Sequence, residues 1–359
     1  MKYIFQNLKL RKLYIFFLFL AVLNIFFSTG ISHAKTFSIN DLELSTPFKI
    51  NFNKNKIIDE GFVQAFSELM LSTVQSKDHQ KLKKITLSQI KSMISTFSIK
   101  EEKFVDEIYY IKLNVSFNKK IIFDLLEKKN IFPSLPEKKD IMFLPIIFDQ
   151  NQNQIKMFSD NIIYNIWNSN TKQFDLLNYI LPTEDLEDLN LIKINKQNLE
   201  DFEFNEIAKK YNLENYIVSI FFINSDQTRI LNKISFDNKK IVKNILVKNI
   251  DFNNNYEINK FIEKLKINFE DYWKSKNEIN TSVKLPLTVS VENSNNIKIY
   301  KLEQKLSSIE LIYNFYIYKF NNKNNIYKII FNGTPDKFIE VMKNNNYEFE
   351  ISKKIWVMK

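Results

Sequence analysis

The scarcity of glycine and the absence of cysteine restrict what this chain can fold into. Only two glycines, Gly61 and Gly333, lie beyond residue 34, and the chain has no cysteine. A P-loop or a G-x-G-x-x-G turn needs several glycines in one short segment, so neither nucleotide-binding motif is present. Disulfides, thiol nucleophiles and cysteine-ligated metals are excluded as well. The chain must therefore fold around apolar cores, and its 33 phenylalanines supply many of the side chains for them.

The first 34 residues have the layout of a cleavable export signal. A basic segment without acidic residues precedes an apolar run over residues 13–27; its charges are Lys2, Lys9, Arg11 and Lys12. The run is shorter than the roughly 20 residues that span a bilayer. Small residues at Ser32 and Ala34 fit the −3 and −1 positions of a signal-peptidase site. We therefore expect a signal peptide over residues 1–34, cleavage between Ala34 and Lys35, and a periplasmic protein.

Charge and histidine content narrow the possible ligands. Removing residues 1–34 lowers the net charge from +10 to +6, because four basic and no acidic residues lie there. This charge is modest, so we expect no nucleic-acid partner and at most a weak contact with an anionic membrane. Beyond residue 34 the one histidine is His79, so a histidine-rich zinc site is excluded and a Ser-His-Asp triad would have to use His79. His79 lies in a polar, turn-like segment, and we expect it to be solvated and no cofactor to be bound.

Hydrophobic periodicity predicts an α+β protein of three small α/β units, over residues 35–136, 137–280 and 281–359. The first unit is predicted to contain a strand near residues 37–50, an apolar helix face around Phe62 and a second helix over residues 80–97. A strictly alternating strand follows over residues 109–117. Pro133 and Pro136, followed by charged residues, are typical of a linker.

The second and third units differ in the order of their elements. In the second, the apolar run over residues 141–148 predicts a buried strand, although Pro145 counts against a fully central position. Strands over residues 216–223, 228–236 and 240–247 and a long helix follow. The third unit has the order β-α-β-β-α-β, which predicts a ferredoxin-like sandwich with its helices on one face of an antiparallel sheet.

The acidic segment after Pro182 is the best candidate site in the sequence. Asp185 and Asp188 are three residues apart, so they share one face if this segment is helical. Paired carboxylates can bind calcium or perform acid–base chemistry. Acidic residues are equally typical of the first turn of a helix, where the helix dipole favours them. The sequence leaves these readings open.

Several motifs resemble the uncharacterised proteobacterial exported family catalogued as domain of unknown function number two thousand and sixty-six. They are Phe62-x-x-Ala65-Phe66, Ile99-Lys100-Glu101-Glu102, Phe143-Leu144-Pro145, Trp167, the segment 181–188 and Trp356. Asp185 and Asp188 fall where that family shows a Pro-x-x-Asp-x-x-Asp pattern. The resemblance implies an exported protein without an assigned activity. It marks Pro145, Trp167, Pro182, Asp185 and Asp188 as candidate binding residues.

No recognisable catalytic set is present, and three small units with sheet edges are suited to binding another protein. A sheet edge can accept a strand from a partner. We therefore expect a non-enzymatic interaction or assembly module of the cell envelope, with an envelope protein as its partner. The alternative is a carboxylate-based hydrolase or an ion-binding protein centred on residues 184–188.

Overall fold

The computed structural model describes residues 36–169, 175–224, 227–237, 239–248, 250–252, 254–352 and 354–359. The predicted signal peptide, with Ala34 and Lys35, lies outside the described residues. The described chain is a mixed α+β structure with three β-sheets that follow one another along the sequence. None of the helices in these ranges is long and apolar enough to span a membrane.

The first sheet has three antiparallel strands in the order β1-β3-β2. They are β1 (Thr36–Pro47), β2 (Ile94–Val105) and β3 (Ile108–Asn118), accompanied by helices α1 (Lys54–Thr73), α2 (Leu87–Met93) and α3 (Lys119–Lys128) and a 3₁₀ helix, Ser76–Leu82. Alternate residues of β3 are buried, as the period-two pattern predicts. Gly61 brings α1 close to the sheet, because a Cβ there would lie 2.5 Å from Leu113 Cδ1 of β3 and 2.9 Å from Leu44 Cδ1 of β1. The helix therefore lies over β1 and β3.

Of the predicted helix over residues 80–97, only α2 (Leu87–Met93) is α-helical; a separate 3₁₀ helix ends at Leu82, and the chain beyond Met93 forms β2. Thr86 and Gln89 form a capping box that starts α2, but the chain becomes extended at Ile94 and pairs with Phe117. The apolar spacing from Ile90 to Phe97 fits a helix, yet the open edge of β3 gives these residues backbone partners. Tertiary pairing overrides local periodicity here.

The second sheet is central in its own unit and is covered on both faces. Its order is β5-β4-β7-β8-β9, with β6 also parallel to β4. The strands are β4 (Lys139–Asp149), β5 (Gln154–Lys156), β6 (Leu177–Ile180), β7 (Tyr216–Ile223), β8 (Gln227–Phe236) and β9 (Lys239–Lys248). The helices are α4 (Ile162–Ile166), α5 (Leu186–Ile194), α6 (Asn205–Lys210) and α7 (Asn255–Lys276), with 3₁₀ turns at Phe158–Asp160 and Lys196–Asn198. Alternate residues of β4 therefore enter two different cores.

Pro145 lies inside β4 at a position that does not need its missing N–H group. It pairs with Ser219 of β7 on one side. On the other side, β6 pairs with β4 before Pro145 and β5 pairs after it, which leaves a gap in the ladder. The Asn161 side-chain amide fills this gap by donating to the Pro145 carbonyl at 3.0 Å. The proline is thus tolerated in a strand that has neighbours on both edges.

The third sheet has the order β11-β12-β10-β14-β13. Its elements are β10 (Leu285–Glu292), α8 (Asn296–Ser308), β11 (Ile312–Phe320), β12 (Asn324–Phe331), α9 (Pro335–Lys343), β13 (Phe349–Glu350) and β14 (Trp356–Met358). Thr334 caps α9 and Pro335 occupies its first turn, as predicted. The last two strands form a hairpin, so β14 runs parallel to β10. The last strand of a split β-α-β sandwich would instead be antiparallel to β10.

Backbone and buried polar contacts join the three units. Ser134, inside the predicted linker, is buried, and its N–H donates to the Thr73 carbonyl at 2.7 Å. The N–H of Ile279 donates to the Pro133 carbonyl at 2.7 Å. Lys119 is buried and forms an ion pair with Glu310 of the third unit. The segment after Pro133 is therefore a packed junction.

Candidate functional site

The acidic segment starts helix α5, as one of the sequence readings predicts. Asp185 is the N-cap, and its carboxylate accepts the backbone N–H groups of Glu187 at 2.7 Å and Asp188 at 3.4 Å. Asp188 lies in the first turn and is buried. The Lys210 ammonium, at the end of α6, lies 2.6 Å from Asp188 Oδ1 and 3.1 Å from Asp185 Oδ2. The two aspartates therefore do come together, around a lysine.

This lysine takes the position that a metal ion would need. Hydrogen bonds to Asp188 and then Asp185 hold the pKa of Lys210 above its ordinary value, and Lys210 holds the pKa of Asp185 below its own. In the described ranges, no group of three or more His, Asp or Glu residues could hold a metal ion. The Pro182 carbonyl accepts the Tyr164 hydroxyl at 2.7 Å, which fixes the segment against α4. These contacts form a clamp between α4, α5 and α6.

Trp167 lies at the wall of a cavity beside α7. Its ring is fully buried and stacks on Phe143 with 3.7 Å between ring centroids, while Tyr179 meets it edge-on at 5.3 Å. The cavity has a volume of about 630 Å³ and lies beside α7. Much of its wall is apolar, including Leu71, Ile166, Ile262 and Ile267. The indole N–H of Trp167 is buried and has no hydrogen-bond partner among the described residues.

Three charged residues of α7, spaced four apart, are buried beside this cavity: Lys266, Glu270 and Lys274. The Glu270 carboxylate accepts the N–H groups of Leu176 at 3.1 Å and Leu177 at 2.8 Å. Burial raises the pKa of Glu270 to about 7, although these hydrogen bonds and the Lys274 ammonium oppose the shift. Burial also lowers the pKa of Lys274, whose ammonium donates to the Leu71 carbonyl at 2.5 Å. These buried residues of α7 thus combine shifted pKa values with contacts to the first unit.

His79 and Ser76 also line this cavity, but they do not form a Ser-His-Asp relay. The Ser76 hydroxyl donates directly to Asp271 at 2.5 Å, and the Asp271 carboxylate also accepts the Ser76 N–H at 2.8 Å. His79 Nε2 lies 3.0 Å from the Val74 carbonyl, at the end of α1. The histidine therefore contacts a helix end, and Asp271 caps the 3₁₀ helix that follows.

Strand β2 is the most exposed strand of the first sheet. Every residue from 95 to 105 is exposed, and in the described chain β2 pairs only with β3. Phe97 and Phe104 are 49% and 55% exposed, although both lie on the helix side of the sheet, where Phe97 meets Phe62 at 5.0 Å. Because α1 lies over β1 and β3, it leaves the helix side of β2 uncovered. Ile99 and, on α1, Val63 extend this uncovered apolar surface.

The edge strand β11 of the third sheet is exposed in a similar way. Tyr316, Ile317, Tyr318 and Phe320 are all exposed, and within the described ranges β11 pairs only with β12. Aromatic side chains are enriched at protein interfaces. Tyr109, another tyrosine of the predicted strands, is buried instead. Some aromatic side chains of these strands therefore pack in the core, and others are exposed on the surface.

Sequence reasoning missed Lys210, Glu270, Lys274 and the whole of β2. For Glu270 and Lys274 the sequence did contain a signal. They lie four residues apart beside the apolar face of α7 that begins at Ile258, where charged side chains are expected to be at least partly buried. Lys210 carries no comparable signal, because a lysine at a helix end is usually solvated.

No protein-family model matches the chain, and no curated protein is similar to it, so the family resemblance inferred from the sequence stays a prediction.

Proposed function

We propose that this protein is a non-enzymatic interaction module, exported to the cell envelope, which binds an extended segment of an envelope protein along β2. The observation that carries the proposal is the open edge of β2 together with uncovered apolar side chains on its helix side. An edge strand presents unpaired N–H and C=O groups that can pair with a partner strand.

Recognition would combine main-chain and side-chain contacts. A strand added beside β2 would direct every second side chain toward α1. These side chains would cover Phe97, Ile99 and Val63, which are exposed in the chain alone. Burying apolar surface contributes about 25 cal/mol per Å². The preferred partner segment therefore alternates apolar and polar residues.

Charge favours one half of the strand over the other. Residues 94–99 carry no charge, whereas residues 100–103 are Lys-Glu-Glu-Lys. Charged side chains are a usual protection of an edge strand against unwanted pairing. We place the partner strand beside residues 94–99 for this reason.

Two further parts of the proposal concern location and fold. The basic and apolar pattern of residues 1–34 supports export. The strand order β11-β12-β10-β14 supports a ferredoxin-like third unit in which a hairpin replaces the last strand. The clamp at Lys210 gives less support to a hydrolase or ion site at Asp185 and Asp188.

Site-specific photocrosslinking in cells tests the proposal. A photoreactive residue at Phe97 or Ile99 should give a discrete adduct with an envelope protein. The matched control is Val242 on β9, another exposed apolar residue of an edge strand. Ile99→Lys should abolish the adduct formed at Phe97 and leave the protein folded. Equal adducts at Phe97 and Val242, or none at Phe97 and Ile99, would contradict the assignment of β2.

A further inference from the structure

We propose that the cavity beside α7 is a binding site for a small aromatic amine, with Glu270 pairing with its ammonium group and Trp167 forming the wall against its ring. This inference is independent of strand binding at β2, which lies on another surface. The cavity volume of about 630 Å³ falls within the roughly 300–1,000 Å³ of small-molecule sites.

The apolar wall sets the character of the ligand's body. Ile166, Ile262 and Ile267 line the cavity together with the indole of Trp167. Phe143 covers one face of that indole, which holds the ring in place. A flat ring against such a wall gains apolar burial, chiefly against the three isoleucines and the edge of the indole. An aromatic body fits this wall.

Glu270 sets the charge of the ligand's head group. It lines the cavity, is 8% exposed, and forms no ion pair with any described residue. Its carboxylate accepts backbone N–H groups only. Burial disfavours this carboxylate even though the Lys274 ammonium, one helical turn away, favours its ionised form. A cation that reaches the carboxylate from the cavity would recover part of the cost of burying it. An ammonium group supplies such a cation.

The other charged groups near Glu270 are already engaged. Lys274 donates to the carbonyls of Leu71 and Val74, and Asp271 accepts from Ser76. Lys266 stands over the rings of Trp167 and Tyr179 at 5.4 and 5.6 Å. Asp175 opposes the ionisation of Glu270, and Glu270 raises the pKa of Tyr179. The other titratable groups that line the cavity are His79, Tyr256, Lys260 and Glu263.

Calorimetric titration of the purified protein with two matched probes tests this inference. At pH 8, 4-(2-aminoethyl)phenol should bind at least tenfold more tightly than 3-(4-hydroxyphenyl)propionate, which has the same ring and the opposite charge. The amine's affinity should fall at pH 6, because Glu270 is then largely protonated. Equal binding of the two probes, or no heat with either at millimolar concentration, would overturn the proposal.

Variants separate the roles of Glu270 and of the cavity. Glu270→Gln should weaken amine binding at least tenfold and remove its pH dependence. Glu257→Gln, at an exposed position of the same helix outside the cavity wall, should change binding less than twofold. Ile267 is exposed, so Ile267→Trp should fill the entrance of the cavity and block binding while Glu270 stays intact. This second variant keeps the test valid if Glu270→Gln folds poorly. Tight amine binding to both Glu270→Gln and Ile267→Trp would refute the site.

Discussion

At the scale of single residues, Glu270 is a buried acid whose pKa lies well above its ordinary value. Its folded-state pKa is raised from 4.5 to about 7 because burial disfavours the carboxylate. Between these two values the folded protein binds a proton that the unfolded chain does not. This stabilising contribution is complete below pH 4.5 and is lost as the pH rises through 7.

Glu270→Gln should therefore flatten the pH dependence of stability. Glutamine keeps an oxygen for the Leu176 and Leu177 N–H groups and cannot ionise. Its gain over the wild type, measured as the free energy of unfolding in urea, should grow from pH 5 to pH 8 by up to about 3 kcal/mol. Glu340→Gln on exposed α9 is the control and should give a flat difference. If the stability gain of Glu270→Gln over the wild type became smaller toward pH 8, the raised pKa of Glu270 would be contradicted.

Gly61 gives a second prediction at this scale. An added methyl group would meet Leu113 Cδ1 at 2.5 Å, which outweighs the gain of about 1 kcal/mol that alanine normally brings to a helix interior. We expect Gly61→Ala to destabilise the protein by about 1–2 kcal/mol in chemical denaturation, as overpacked cores do. Glu60→Ala, one exposed position earlier, should stay within about 0.5 kcal/mol. A more stable Gly61→Ala would show that α1 can move away from the sheet.

At the scale of elements, the Lys210 clamp connects the start of α5 with the end of α6. Lys210 is partly exposed, whereas the Asp188 side chain is almost fully buried. Removing the lysine would leave a buried carboxylate without a partner, and removing the Asp185 charge would not. Removing Lys210 is therefore expected to cost more stability than removing the Asp185 charge, because Asp188 is the buried member of the clamp.

Lys210→Met should accordingly destabilise the protein by about 1–3 kcal/mol, the usual cost of an unsatisfied buried group. Asp185→Asn should be milder, because asparagine caps a helix about as well as aspartate. Lys209→Met, one residue earlier, is the matched control. Calcium should leave the melting temperature of the wild type unchanged. A large rise in the melting temperature with calcium, absent from Asp185→Asn, would instead support an ion-binding site.

How far the sequence predicts an element depends on whether its partners are local. Strand β3 and helix α7 were predicted closely, because their own periodicity determines which side is buried. β2 was missed, because its extended form depends on β3, which comes later in the chain. The helix start at Asp185 was one of the sequence readings, but Lys210 lies 25 residues away and no pattern connects the two. The final hairpin could not be predicted either, since the direction of β14 depends on its pairing with β10.

At the scale of the whole molecule, α7 joins two of the three units. Lys274 donates to two carbonyls at the end of α1, and the Trp273 indole donates to the Glu137 carbonyl at 2.7 Å. A cation at the end of a helix also interacts favourably with the helix dipole. The first and second units therefore share polar contacts that neither could satisfy alone.

Lys274→Met should weaken this connection without disturbing either sheet. The α1 carbonyls would lose their donor, and stability should fall by about 1–3 kcal/mol. Tryptophan fluorescence reports on Trp167 and Trp273 of the second unit and on Trp356 of the third. The urea transitions followed by fluorescence and by circular dichroism should no longer coincide. Lys276→Met lies near the end of the same helix and should leave the two transitions coincident. Coincident, unshifted transitions in Lys274→Met would show that other contacts hold the units together.

The open edge of β2 also has a consequence for the protein's behaviour in concentrated solution. An unprotected strand with exposed phenylalanines can pair with any other chain in the same state, including a newly made copy. The charges of residues 100–103 act as gatekeepers that confine such pairing to six residues. Occupation of β2 by a partner would remove this liability, so the free chain should be less soluble than the complex.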